Sequence, residues 1–146
     1  MPGYYLTWQM LIGNHTKSQE LLERVLVIYE KNYGKHHLQI AWVLNSLGDT
    51  YLLKGDLEIA QSLINKALNI FQQNNHPESY ISLESLSDLY SKKSLEAVNK
   101  NNINRANFFK QISADYLKRA LNIVTDYFPE HSPHILRVET KFKNLN

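Results

Sequence analysis

From residue 38 onward the chain sets its apolar side chains at helical intervals. Ile40, Val43, Leu44, Leu47 and Tyr51 follow i, i+3, i+4, i+7 spacing, and Leu57, Ala60, Leu63, Ile64, Ala67, Leu68 and Phe71 repeat it. This is the period of one buried helix face. Between the two runs stands Lys54-Gly55-Asp56. Gly55 suits the left-handed position after a helix end, and Asp56 suits the N-cap of the next helix. The pattern predicts a helical hairpin. Alternation of period two is missing over any useful length, so the fold class is all-α.

The hairpin recurs. Val25-Leu26-Val27-Ile28-Tyr29 returns 42 positions later as Ala67-Leu68-Asn69-Ile70-Phe71, and Gly13-Asn14 returns at the same offset as Gly55-Asp56. Leu47 and Tyr51 return 39 positions later as Leu86 and Tyr90, whereas Ala67-Leu68-Asn69-Ile70 returns 53 positions later as Ala120-Leu121-Asn122-Ile123. The difference is a 14-residue insertion between the two helices of the third unit. That insertion, Asn-rich between Asn99 and Asn107, also carries Leu95, Val98, Ile103, Phe108, Phe109 and Ile112. Such apolar content speaks against a disordered loop. Fourteen residues make about four turns at 3.6 per turn. Two extra turns on each helix, joined at Lys100-Asn101-Asn102, would absorb them without changing register. The apolar residues would pack against each other or form a contact surface.

Gly48 stands inside the first helix of unit two, where Gly costs about 1 kcal/mol relative to Ala. It follows the core Leu47 and faces the partner helix, whose small residue there is Ala60. Close backbone approach explains it.

On these residues the segment LNSLGDTYLLKGDLEIAQSLINKALNIF resembles the tetratricopeptide repeat. Unit two supplies Leu44, Leu47-Gly48, Tyr51, Ala60, Ile64 and Ala67 at the family's spacing; unit three supplies Leu83, Leu86-Ser87, Tyr90, Ser113, Leu117 and Ala120. Unit one is degenerate, with Tyr5-Leu6, Gln9, Ser18, Leu22 and Val25. The long period and the loops around Tyr33-Gly34, Asn75-His76-Pro77 and Phe128-Pro129 resemble the kinesin-light-chain-type subclass. The resemblance implies a tetratricopeptide-like solenoid of three hairpins plus a C-terminal capping helix, with the third hairpin elongated. It implies one domain over residues 1–146, with units at about 3–36, 38–76 and 79–130 and a terminal helix at about 133–145. In that last helix Ile135, Val138, Phe142 and Leu145 are apolar, and Arg137, Lys141 and Lys143 are expected to face water.

The resemblance further implies that the first helix of each unit lines a concave peptide-binding face. Asn45, Asp49 and Leu52 would then sit beside Glu84, Asp88 and Ser91, making a partly acidic groove for a protein or peptide with a basic anchor. The Lys/Asn clamp that some family members use for a terminal carboxylate is missing, because the comparable positions are Asp49, Glu84 and Asp88.

Catalytic chemistry finds no foothold. There is no Gly-rich phosphate loop, no G-x-S-x-G and no H-E-x-x-H. Glu84 and Asp88 share a helix face, but a solvated face or a groove explains them better than acid–base work. His131 and His134 are spaced for a metal pair, yet they fall in the loop between units, where caps and turns account for them. No metal and no cofactor are expected, and the chain is read as non-enzymatic. It has no cysteine, which removes disulfides and Cys-based sites. A net charge of +2 without a dense basic cluster argues against nucleic acid. No apolar run approaches the roughly 18 residues of a membrane span, and the N-terminus lacks a signal-peptide pattern. No membrane partner and a cytoplasmic location are expected, with a secreted bacterial effector as the other setting.

The functional expectation is a protein- or peptide-binding scaffold. The alternative is a structural or oligomerisation module, or the C-terminal part of a larger array. Tyr4, Tyr5 and Trp8, crowded near the N-terminus, point to an edge covered through a homodimer or a preceding unit, unless they turn inward onto Leu22, Val25 and Leu26 of unit one.

Overall fold

The chain is described by a computed structural model over residues 15–145. Tyr4, Tyr5 and Trp8, and with them the expected first helix of unit one, lie outside the described residues. All regular structure among the described residues is α-helical: α1 (His15–Tyr33), α2 (Leu38–Lys54), α3 (Leu57–Gln73), α4 (Ser79–Asn99), α5 (Ile103–Tyr127) and α6 (Pro133–Leu145). The fold is all-α, as the periodicity predicts, and tetratricopeptide-like, as the resemblance implies. The chain divides into two compact units, Met1–Asn75 and His76–Asn146.

In the first unit α2 packs on both α1 and α3. Leu22, Val43 and Leu47 form one buried cluster, flanked by Val25, Leu26 and Tyr51. Ile40, Ala41, Leu44, Ala67, Ile70 and Phe71 form the other. Trp42 meets Phe71 edge to face with ring centroids 5.9 Å apart, a favoured aromatic geometry. Gly48 is where the two backbones come closest: a Cβ built there would lie 2.6 Å from Ile64 Cγ1 and 3.3 Å from the Ala60 carbonyl oxygen.

The helix ends follow local chemistry. Gly55 closes α2 at φ 92°, its N–H bonding back to the last turn. Asp56 takes the N-cap position of α3, but its side chain makes no capping bond, contrary to the role its residue type suggests. His37 caps α2 instead: its Nδ1 accepts the Gln39 N–H at 3.1 Å, and its ring stacks on Tyr33. His76 does the same before α4, accepting the Glu78 N–H at 3.2 Å. Two of the six histidines are thus helix-entry acceptors.

In the second unit α5 packs on both α4 and α6. Leu83, Leu86, Leu89, Leu117, Ala120, Val124 and Val138 are fully buried. Ser87 and Ser113 occupy the register positions that Gly48 and Ala60 hold in the first unit. Their hydroxyls meet at 2.8 Å, and Ser113 also donates to the Ser87 carbonyl at 2.8 Å. The same close approach is therefore built once from glycine and alanine and once from two hydrogen-bonded serines.

The insertion lengthens both helices. Lys54, which ends α2, corresponds to Lys93, but α4 continues to Asn99; Leu57, which begins α3, corresponds to Lys110, but α5 already begins at Ile103. That is about two turns on each side. Asn101 turns the corner at φ 59°, a left-handed conformation that Asn tolerates better than most residues. Asn102 then caps α5, its Oδ1 accepting the Arg105 N–H at 3.1 Å.

Candidate functional site

The acidic pair on α4 is occupied from within its own unit. Helix α6 starts after Ser132, whose hydroxyl accepts the Ile135 N–H at 3.3 Å. Ile135 and Val138 bury one face of α6, which turns Arg137 and Lys141 toward α4. Arg137 donates from Nη2 and Nε to the same Glu84 oxygen at 3.0 and 3.2 Å. Lys141 lies 3.1 Å from one Asp88 oxygen and 3.9 Å from Glu84. Both cations face water in part, as expected, with 44% and 32% of their side chains exposed, and both are also ion-paired. Because 84 meets 137 and 88 meets 141, α4 and α6 run in the same direction, as first helices of successive repeats do. The signal in the sequence was an acidic i, i+4 pair on one helix matched by a basic i, i+4 pair on the other.

Glu84 is mostly covered, with 12% of its side chain exposed against 50% for Asp88. A charge so covered has to be paired, and Arg137 pairs it. Burial alone would pull the Arg137 guanidinium down; the hydrogen bonds and charge of Glu84 outweigh this and hold its pKa above the ordinary value. Tyr80 lies beside it, with its hydroxyl 3.2 Å from His134 Nδ1. Burial pushes the Tyr80 phenol up, opposed in part by Arg137. His134 stacks on Phe128 at 4.4 Å. It belongs to this aromatic joint at the start of α6 rather than to a metal pair with His131.

The remaining candidates divide between faces. Asn45 is buried and its amide reaches the Asp49 carboxylate at 3.4 Å, a long contact within one turn of α2. Leu52 is buried. Ser91 turns toward α5, with its hydroxyl 2.9 Å from Ser113. The structure thus brings Glu84 and Asp88 together with Arg137 and Lys141, and pairs Asn45 with Asp49. Leu52 and Ser91 serve packing and internal hydrogen bonding.

A run of apolar first-helix positions, a glycine at the helix contact and parallel first helices have one common source. Residues 8–73 match the tetratricopeptide repeat family model. These residues belong to the tetratricopeptide repeat family. Beyond that span, the fold of nearly the whole chain is similar to crystal structures of the nearly identical TPR-like repeats of a candidate kinesin light chain from Podosopora anserina. One, of a point variant, aligns with TM-score 0.64 and 20% identity. Another aligns with TM-score 0.62 and 19% identity. Each alignment covers 96% of this chain and 61% of the other, so the chain spans about three-fifths of the length of those arrays. No curated protein matches the sequence. Tetratricopeptide repeats mediate protein–protein interaction, and their fold is typically a non-catalytic scaffold.

Proposed function

We propose that this tetratricopeptide array is a non-enzymatic adaptor that holds a protein segment against the first-helix faces of its repeats, and that the segment carries a basic anchor. The observation that carries the reading is the Glu84–Asp88 pair. It accepts a guanidinium and an ammonium at 3.0 and 3.1 Å from α6, so its geometry already suits Arg and Lys. Half-exposed Asp88 and Lys141 form the accessible end of that row, where exposed pairs are worth little, about 0–1 kcal/mol, and exchange readily.

A ligand's basic side chain would compete with Arg137 and Lys141 for the same carboxylates. The two sets of substitutions therefore act in opposite directions. On an array of peptides with basic, neutral and acidic anchors, the chain is expected to retain basic spots. Glu84→Ala/Asp88→Ala should lose them, and Lys141→Ala should strengthen them several-fold. Rising salt should weaken all of them by screening. Preference for acidic or neutral spots, or equal retention by the Glu84/Asp88 variant, would remove this reading.

A further inference from the structure

The lengthened α4–α5 hairpin ends in an apolar apex set among cations. Leu95 and Val98 on α4 are 63% and 45% exposed, and Ile103 and Phe108 on α5 are 56% and 62% exposed. At 1.5 Å per residue all four lie within about 8 Å of the turn. Large exposed apolar groups gathered at one place mark an interaction surface. From residue 92 to residue 110 the charged residues are Lys92, Lys93, Lys100, Arg105 and Lys110 against Glu96 alone. Lys100, Arg105 and Lys110 are exposed. The intervening polar residues are mostly asparagines, which add no negative charge.

Behind the apex the hairpin is stiffened by a chain of rings: Phe108 to Phe109 at 5.9 Å, Phe109 to Tyr90 at 5.9 Å and Tyr90 to Tyr116 at 5.8 Å. Arg105 sits over Phe109 at 5.2 Å and Lys93 over Tyr90 at 4.8 Å. These contacts hold cations beside the apolar residues.

We infer that this apex is a peripheral membrane contact for an anionic lipid surface. Two features favour a bilayer over a protein. Ile103 and Phe108 are five residues apart, which places them about 140° apart around α5. Leu95 and Val98, three apart, share one face of α4, but the two α5 groups diverge, so the four do not line up as one strip for a partner to dock on. Their depth of about 8 Å matches the 5–10 Å to which interfacial elements enter the headgroup boundary. The cations then meet anionic headgroups, where each contributes roughly a fivefold gain in partitioning. No helix among the described residues is long and apolar enough to cross a membrane; contact of this kind requires none. This inference goes beyond the adaptor reading and does not rest on it.

The test is co-sedimentation of the full chain with vesicles of phosphatidylcholine alone or with about one-third phosphatidylserine. The chain should pellet with the phosphatidylserine vesicles and be released as salt rises. Lys100→Gln/Arg105→Gln/Lys110→Gln should lower partitioning roughly a hundredfold. Leu95→Gln/Ile103→Gln/Phe108→Gln should lose binding even at low salt. All six substituted residues lie at exposed positions, so circular dichroism should show an unchanged fold. Indifference to phosphatidylserine, or binding that survives both tip variants, would overturn the inference. So would capture of a polyglutamate peptide by a chain that ignores vesicles, which would make the tip a protein-docking surface.

Discussion

Gly48 lies against Ile64 with no room for a methyl group, and Ile64 is itself fully buried. Gly48→Leu should therefore destabilise the fold. Overpacking of this kind costs about 1–3 kcal/mol, and the melting temperature should fall on the order of 10 °C. An unchanged melting temperature would show that α2 and α3 are not in close contact at this point. Gly48 was legible in the sequence because glycine inside a helix is costly and calls for a packing reason. Ser87 and Ser113 were legible only as small residues. Their mutual hydrogen bond depends on hydroxyl rotamers that meet across two helices, which no spacing rule reports. Leu52 and Ser91 show the same limit: the period places them on helices, but the burial of Leu52 and the bond from Ser91 to Ser113 depend on neighbours distant in sequence.

At the scale of elements, the elongated hairpin makes a prediction about modularity. The lengthened part of α4 and α5 adds a column on top of a core made by Leu83, Leu86, Leu89, Leu117, Ala120 and Val124. Replacing residues 94–109 by Gly-Asp would recreate the corner that joins α2 to α3 at Gly55-Asp56. The shortened chain is expected to fold, with helical circular dichroism reduced only by the residues removed and with cooperative unfolding retained. Loss of the cooperative transition would mean that Ala97, Ala106 and the Tyr90–Phe109 contact belong to the unit's core rather than to an extension of it. The insertion was readable because its apolar content and its length, a whole number of turns, both fit continued helix. The turn itself was readable because Asn101 and Asn102 suit a left-handed corner and an N-cap.

For the whole molecule, the oligomerisation alternative keeps one structural support. Val27 and Ile28 on α1 are 68% and 54% exposed, next to each other in sequence and in the unit whose N-terminal aromatics prompted the expectation of a covered edge. If copies meet there, light scattering of the purified chain should give a dimer mass that falls to the monomer in a Val27→Glu/Ile28→Glu variant. Such charges cost little on an exposed face and would be costly if buried unpaired. A monomeric wild type at high concentration removes the dimer.

What the sequence determined alone is the part governed by local rules. Apolar period sets helix faces, Gly55 and the Asn-rich corner set where helices stop, and repeated spacing sets the hairpin as the unit. These depend on residues within a few turns of one another, so they can be read along a line. The acidic pair on α4 was also visible as an i, i+4 spacing. Its state was not. Arg137 and Lys141 reach Glu84 and Asp88 across 53 positions of chain, and only the burial of Ile135 and Val138 turns α6 so that its cations point at α4. The tertiary structure decided that the acids are already paired, because the charge of Glu84 loses its water on packing and must find a partner.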